Sequence, residues 1–221
     1  MRARHWAVAL LPPGCILAAL GVGQLVLPGI AAERLRQRLN RSGHVLEVRV
    51  SAFPAIELLW HRADKVVVRM SRFRTGPAEL AGMLADSGQA GSIDASVGEL
   101  DARLLTLRDV SLRKRGSELT GSARVTQTDL QAALPVLESV APIASANGRL
   151  TLRATVSVLG VGASVNLTLE AENGALVLVP DLPLGGLGRI TVFSSRRLYV
   201  EGVGGSTAPG GFSAFVQARL T

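Results

Sequence analysis

The chain has 221 residues with 48% hydrophobic and 4% aromatic content, enough for one domain and an address segment but not for two domains. Basic residues outnumber acidic ones, 24 to 17, yet Lys65 and Lys114 are the only lysines, and GC-rich codon usage accounts for such an arginine excess. No basic run is interleaved with stacking aromatics, which argues against nucleic acid as a partner, and a single cysteine excludes an internal disulfide framework or a thiolate metal cluster.

Residues 6–32 contain no Asp, Glu, Lys or Arg and follow Arg2 and Arg4, so residues 1–32 read as a signal peptide or a membrane anchor and residues 33–221 as a single domain. Ala31 offers a small-x-small cleavage context. Pro12, Pro13 and Pro28 limit the uninterrupted helical stretch to Gly14–Leu27, which is short for a full span, so cleavage and retention both fit. Arg34, Arg36, Arg38 and Arg41 follow the segment, and by count alone they favour a cytoplasmic domain, although long domains translocate largely regardless of charge.

Glu33–Asn40 predicts a short basic helix with Ala32, Leu35 and Leu39 on one stripe. Its four arginines suit the headgroups of an anionic membrane surface, while the two leucines equally suit packing on the end of a sheet. Val45–Val50 alternates as a first strand that Phe53-Pro54 breaks. Phe53, Ile56, Leu59 and Trp60 then share a helical face, either as core or as a plug at the mouth of a cavity. Ala63–Arg74 alternates again, with Val66, Val68 and Met70 on one parity. Thr75-Gly76-Pro77 leads into a short helical piece, Ala78–Ala85, and a loop to Gly91.

Ile93–Leu112 predicts two strands or one long bent one, with a bulge or turn near Thr106–Asp109 where Arg108 interrupts the alternation. Arg113-Lys114-Arg115-Gly116 reads as a solvated turn. Leu119, Gly121, Ala123 and Val125 form the dry side of a further strand. Thr128-Asp129-Leu130-Gln131 has the form of a capping box, and the helix it opens carries Leu130, Leu134, Leu137 and Val140 on one face, kinked or split at Pro135.

Gly148–Pro180 carries the strongest signal. Leu150, Leu152, Ala154, Val156 and Val158 alternate with Thr151, Arg153, Thr155 and Ser157, and Ala163, Val165, Leu167, Leu169 and Ala171 continue the dry side in a second run. Asn173-Gly174 supplies a two-residue type I′ turn into a third. Ile190–Phe193, Leu198–Val203 and Phe212–Leu220 follow as three more strand-like runs.

Catalytic chemistry is thin. His44 and His61 are the only histidines beyond the address segment, His61 and Asp64 have no serine in a Gly-x-Ser-x-Gly turn, and no metal-ligand spacing appears. Gly185-Gly186-Leu187-Gly188 reads as a turn rather than a phosphate cradle. The fold class expected is therefore α+β, mostly antiparallel β, with a long curved sheet wrapped on one or two helices around an apolar cavity. Its aliphatic wall suits acyl chains, which need only burial, at ~0.8 kcal/mol per CH₂. Candidate lipid contacts are Phe53, Ile56, Leu59, Trp60, Val66, Val68 and Met70 at the mouth, Leu130, Leu134 and Leu137 on a covering helix, and Leu152, Val156, Val165 and Leu167 on the wall. Arg34, Arg36, Arg38 and Arg41 are the headgroup candidates. No enzyme, metal or cofactor is expected. Two alternatives stay open: a membrane-anchored assembly module without a cavity, and a glycolipid enzyme that would need His61, Asp64 and a third titratable group to converge.

The order of the Ala32-Glu33-Arg34-Leu35 helix, Phe53-Pro54, Ala63-Asp64-Lys65-Val66-Val67-Val68, Leu100-Asp101-Ala102-Arg103 through Asp109-Val110, Gly121-Ser122-Ala123 to Thr128-Asp129-Leu130, and Asn173-Gly174-Ala175-Leu176-Val177-Leu178 with Leu182-Pro183 resembles the LmeA-like phospholipid-binding family. The resemblance spans roughly Ala31–Val203. It implies a tubular lipid-binding type of fold, phospholipid as partner, and a location in the cell envelope outside the inner membrane, anchored or secreted, with a role in envelope glycolipid maturation. On that ground export is preferred. Pro135 and the Gly/Ser-rich tail Gly202–Gly211 depart from the family's pattern.

Overall fold

The computed structural model describes residues 11–221 except 54–57, 59–61, 77–78, 80–81, 84–89, 103–104, 159–160 and 182–187, and gives only the backbone of 11–23, 25, 158 and 161. Ile56, Leu59, Trp60, His61 and the glycines at 185 and 186 therefore lie outside the described residues, as does most of the expected helical piece 78–85.

The first helix, α1, runs Leu11–Leu39 and carries Pro28 inside it, so the apolar segment and the basic helix are one element. A turn returns the chain into β1 (Gly43–Ser51), antiparallel to β2 (Ala63–Arg74). β3 (Ala90–Asp101) lies parallel to β2, which requires a crossover, and Glu79, Gly82 and Met83 within it are helical. β4 (Thr106–Arg115) and β5 (Glu118–Thr126) continue antiparallel. The Ile93–Leu112 stretch is thus two strands, separated before Thr106 and so ahead of the expected position, while a register shift between Arg108 and Ser111, with Asp109 at φ 49, gives the irregularity expected near Thr106–Asp109.

α2 spans only Gln127–Ala133. Its N-cap is Thr126 rather than Thr128, and the Thr126 hydroxyl accepts from the Asp129 N–H at 3.1 Å while donating to the Asp129 carboxylate at 2.5 Å. Pro135 ends this helix because the residue before a proline is pushed out of the helical region, and Leu134 sits at φ −136, ψ 88. Leu137 and Val140 therefore belong to a strand, β6 (Leu137–Ala146), and not to a helix. β6 is an edge strand, the place where Pro142 costs no ladder bond.

β7 (Arg149–Val158), β8 (Val161–Glu172) and β9 (Ala175–Asp181) realise the predicted meander, with Asn173 and Gly174 at φ 51 and 77 in the turn. Asn147-Gly148, at φ 54 and 71, builds a second turn of the same kind between β6 and β7. β10 (Ile190–Phe193), β11 (Leu198–Ala208) and β12 (Gly211–Leu220) complete the chain. The result is a seven-stranded sheet ordered β1-β2-β3-β4-β5-β12-β11 and a five-stranded sheet ordered β10-β9-β8-β7-β6.

The two sheets meet along β11, whose free edge is taken up by the two Asn-Gly turns. Val200 N–H donates to the Gly174 carbonyl and Val203 N–H to the Gly148 carbonyl, each at 3.0 Å. The Gly/Ser-rich tail is this seam. A Cβ built on Gly202 would stand 3.2 Å from the Gly148 Cα, so the close backbone approach explains the glycine there.

Candidate functional site

One face of the long sheet is apolar almost from edge to edge. Val48, Val68, Ala95, Leu112, Gly121, Val216 and Val203 lie opposite one another in a single rung across all seven strands. The neighbouring rung reads Val50, Val66, Ile93, Lys114, Leu119, Ala218 and Val200.

Two covers lie over this face. At one side Leu35 and Leu39 of α1 pack with Val45, Val68, Met70 and Phe73. At the other the short sheet places Leu150, Leu152 and Ala154 against Val125, Phe212 and Val203. Between the covers, Ile93, Ala95, Val97, Val110, Leu112 and Gly121 are each only half-buried. Strands lie about 4.8 Å apart, so the half-buried stripe on β3, β4 and β5 is on the order of 10 Å wide; Ala95, Val97 and Val110 touch the cluster under α1 along one margin, and Leu112 touches the Leu119 and Ala218 cluster along the other.

The predicted contacts divide among these regions. Val66 is half-buried at the margin of the stripe, whereas Val68 and Met70 are buried under α1 as core. Leu152 is buried, and Leu130, Val156, Val165 and Leu167 pack half-buried around the same cluster between the sheets. Leu137 is buried there too, but from β6 and not from a covering helix. Leu134, at 56% exposed, faces away from the cluster. Phe53 is 80% exposed and its N–H donates to the Asp64 carboxylate at 2.6 Å. Of the residues that line the stripe, Ala95, Val97, Val110 and Leu112, none is singled out as a lipid contact by the sequence, because half-burial depends on how far the two covers reach.

Charge is organised by element. Strand arginines are largely paired: Arg72 with Glu99 at 3.2 Å, Arg74 with Asp101 at 3.0 Å, Arg149 with Glu170 at 2.9 Å and Arg219 with Glu201 at 2.8 Å. Arg108 forks onto both Asp129 oxygens at 2.7 and 2.9 Å, which ties α2 to β4. That hydrogen bond, opposed by partial burial and helped by Thr126, holds the Asp129 carboxyl below its usual value, and it raises Arg108 in turn. Arg34, Arg36, Arg38 and Arg41 differ: all are exposed and none has a carboxylate partner among the described residues. Arg41 also lines an open cleft of about 510 Å³ with Asn40, Ser42, Gly43, His44, Arg72 and Arg74. No cluster of His, Cys, Asp or Glu among the described residues has the form of a metal site.

A family model described as LmeA-like phospholipid-binding matches residues 18–198 of the chain. The chain belongs to this family. The match begins within α1 and ends at the start of β11, so it covers the half-covered stripe, α2 and the meander, and leaves outside it most of the β11–β12 hairpin that closes the seam. No curated protein and no solved structure matches the chain. For an LmeA-like protein the informative feature is that its long sheet presents aliphatic surface that its own elements leave half uncovered.

Proposed function

We propose that this LmeA-like protein holds the acyl chains of a phospholipid along the half-covered stripe of β3, β4 and β5, and that it does so without catalysing a reaction. One observation carries the reading. The inner face of the seven-stranded sheet is almost wholly apolar, with Lys114 as its one buried charge among the described residues, and its middle strands are only half-buried. Each methylene buried there gains ~0.8 kcal/mol, so a single long chain gains on the order of 10 kcal/mol before the costs of ordering it.

The setting proposed is the cell envelope outside the inner membrane, with residues 1–32 as signal or anchor and the protein serving lipid transfer or envelope glycolipid maturation. The outward face of α1 supports a membrane-facing role. Val26 and Ile30, 49% and 45% exposed, precede the exposed Arg34 and Arg38 at helical spacing, away from the inward Leu35 and Leu39, and Arg41 follows in the turn just beyond the helix. Among the described residues no helix is long and apolar enough to cross a membrane. A helix face that joins exposed apolar residues to arginines suits an anionic membrane surface.

Filling the stripe tests the proposal. Ala95→Trp places an indole among half-buried neighbours, where overpacking costs about 1 kcal/mol or less because the site is open on one side. Phospholipid recovered with the purified full-length chain, measured by mass spectrometry of organic extracts, falls several-fold while the thermal midpoint moves by a few degrees. Unchanged lipid content in a folded Ala95→Trp variant contradicts the assignment of the stripe.

A further inference from the structure

The rung Val50, Val66, Ile93, Lys114, Leu119, Ala218, Val200 contains one polar side chain among seven. Lys114 is 2% exposed, which is rare for a lysine and more so for one without a counter-ion. Its ammonium donates to the Ala90 carbonyl at the start of β3, and no carboxylate pairs with it among the described residues. Three donors on a buried cation are thus met by one neutral acceptor. Burial lowers the Lys114 pKa, in keeping with a charge that the fold itself leaves uncompensated.

The position of this lysine is as informative as its isolation. Ala90 pairs with Ala63, next to Asp64, which accepts from the Phe53 N–H; and Gln24 of α1 reaches the Ala52 carbonyl. Lys114 therefore sits at the end of the sheet where the exposed Phe53 ring lies and where α1 runs on toward its apolar N-terminal half. The half-buried Ile93 and Leu112 flank it, so a four-carbon stem can carry the ammonium from the Ala90 carbonyl into the end of the stripe. The basic cleft at Arg41 lies at the other end of α1, on the order of 20 Å away along the helix.

We infer that Lys114 is the counter-ion for the phosphate of a phospholipid whose acyl chains occupy the stripe, so that the head of the lipid points toward the Phe53 end of the sheet. The inference rests on the acyl-binding reading above and adds a polarity and a charge preference to it. A buried ammonium without a carboxylate is costly in the empty protein, and a phosphodiester arriving on an acyl chain supplies both the missing charge and the missing acceptors.

The test compares two fluorescent probes with the same acyl chains, an anionic phosphatidylglycerol and an uncharged diacylglycerol, binding to the full-length chain and to its Lys114→Met and Lys114→Arg variants. The expected result is that Lys114→Met loses about tenfold or more in phosphatidylglycerol affinity, keeps diacylglycerol affinity, and melts no lower than the parent, while Lys114→Arg keeps the anionic preference. Equal loss of both probes from a folded Lys114→Met overturns the inference and leaves Lys114 a packing residue, and so does no loss of either. If the parent binds neither probe, the acyl-binding reading itself fails. Inorganic phosphate alone raising the melting temperature of the parent but not of Lys114→Met would assign the site to a free phosphate rather than to a lipid head. If Lys114→Met does not fold, Lys114→Gln, which keeps a donor for the Ala90 carbonyl, is read by the same ratio.

Discussion

Arg108 and Asp129 form a fully made side-chain contact, since the carboxylate takes two guanidinium bonds and a bond from the hydroxyl of Thr126, the residue that caps α2. The folded carboxyl is held low, so the stability it contributes is complete above the unfolded carboxylate value of about 3.9 and is lost as pH falls through the lower folded value. Arg108→Ala removes the largest cause of that shift. In urea unfolding the gap between the parent and Arg108→Ala should be constant above about pH 5 and close as pH falls toward 2, whereas a gap that persists at pH 2 would show that the pair is not coupled. This contact was only half legible. The Thr128-x-x-Gln131 pattern announced a cap two residues later than Thr126, which is the residue that makes it, and Arg108 lies 21 residues from its partner. Lys114 was misread for a related reason: flanked by Arg113 and Arg115 it looks like a solvated turn, and only the strand's period of two turns it inward while its neighbours face out.

Elements were read best where hydrophobic period and turn chemistry agreed. β2 and β10 keep the expected limits, and the Asn173-Gly174 hairpin adopts the two positive φ values that its sequence requires. The failure around Pro135 has the opposite cause. Leu130, Leu134 and Leu137 fit a helical spacing, yet a proline removes a donor and clashes with the preceding turn, and the chain changes to β6 instead. Giving Asn147-Gly148 the weight given to Asn173-Gly174 would have predicted β6, because a type I′ turn needs a strand on both sides. α1 is the element whose role is most open to experiment. Replacing Arg34, Arg38 and Arg41 together by Gln should weaken binding to anionic vesicles by about 1 kcal/mol per charge at low salt, with little change in binding to neutral vesicles or in the thermal midpoint. Equal binding to anionic vesicles by the triple variant would remove the basic face of α1 from the membrane contact.

At the scale of the molecule, the fold class could be read because most strands, β6 excepted, declare a dry side, but the placement of the covers could not. Inward positions, buried or half-buried, step by three and not two at one shared rung, from Met70 to Phe73, from Val97 to Leu100 and from Val110 to Leu107, and Gly98 and the positive φ of Asp109 lie where the steps occur. Such a kink carries Phe73, Leu100 and Leu107 into the cluster under α1, while Leu107 also touches the cluster between the sheets. α1 and the short sheet thereby stand at the two sides of one long face and leave its middle strands half-covered. Whether that middle holds a lipid is the central claim. The most direct measurement replaces Val97 and, separately, its neighbour Ser96 with a benzophenone amino acid in the full-length chain, irradiates cells expressing each, and reads phospholipid adducts by mass spectrometry. The account predicts adducts from position 97, on the aliphatic face, and few or none from position 96, on the exposed one. Equal yields from the two faces, or none from position 97 in a folded protein, would contradict it.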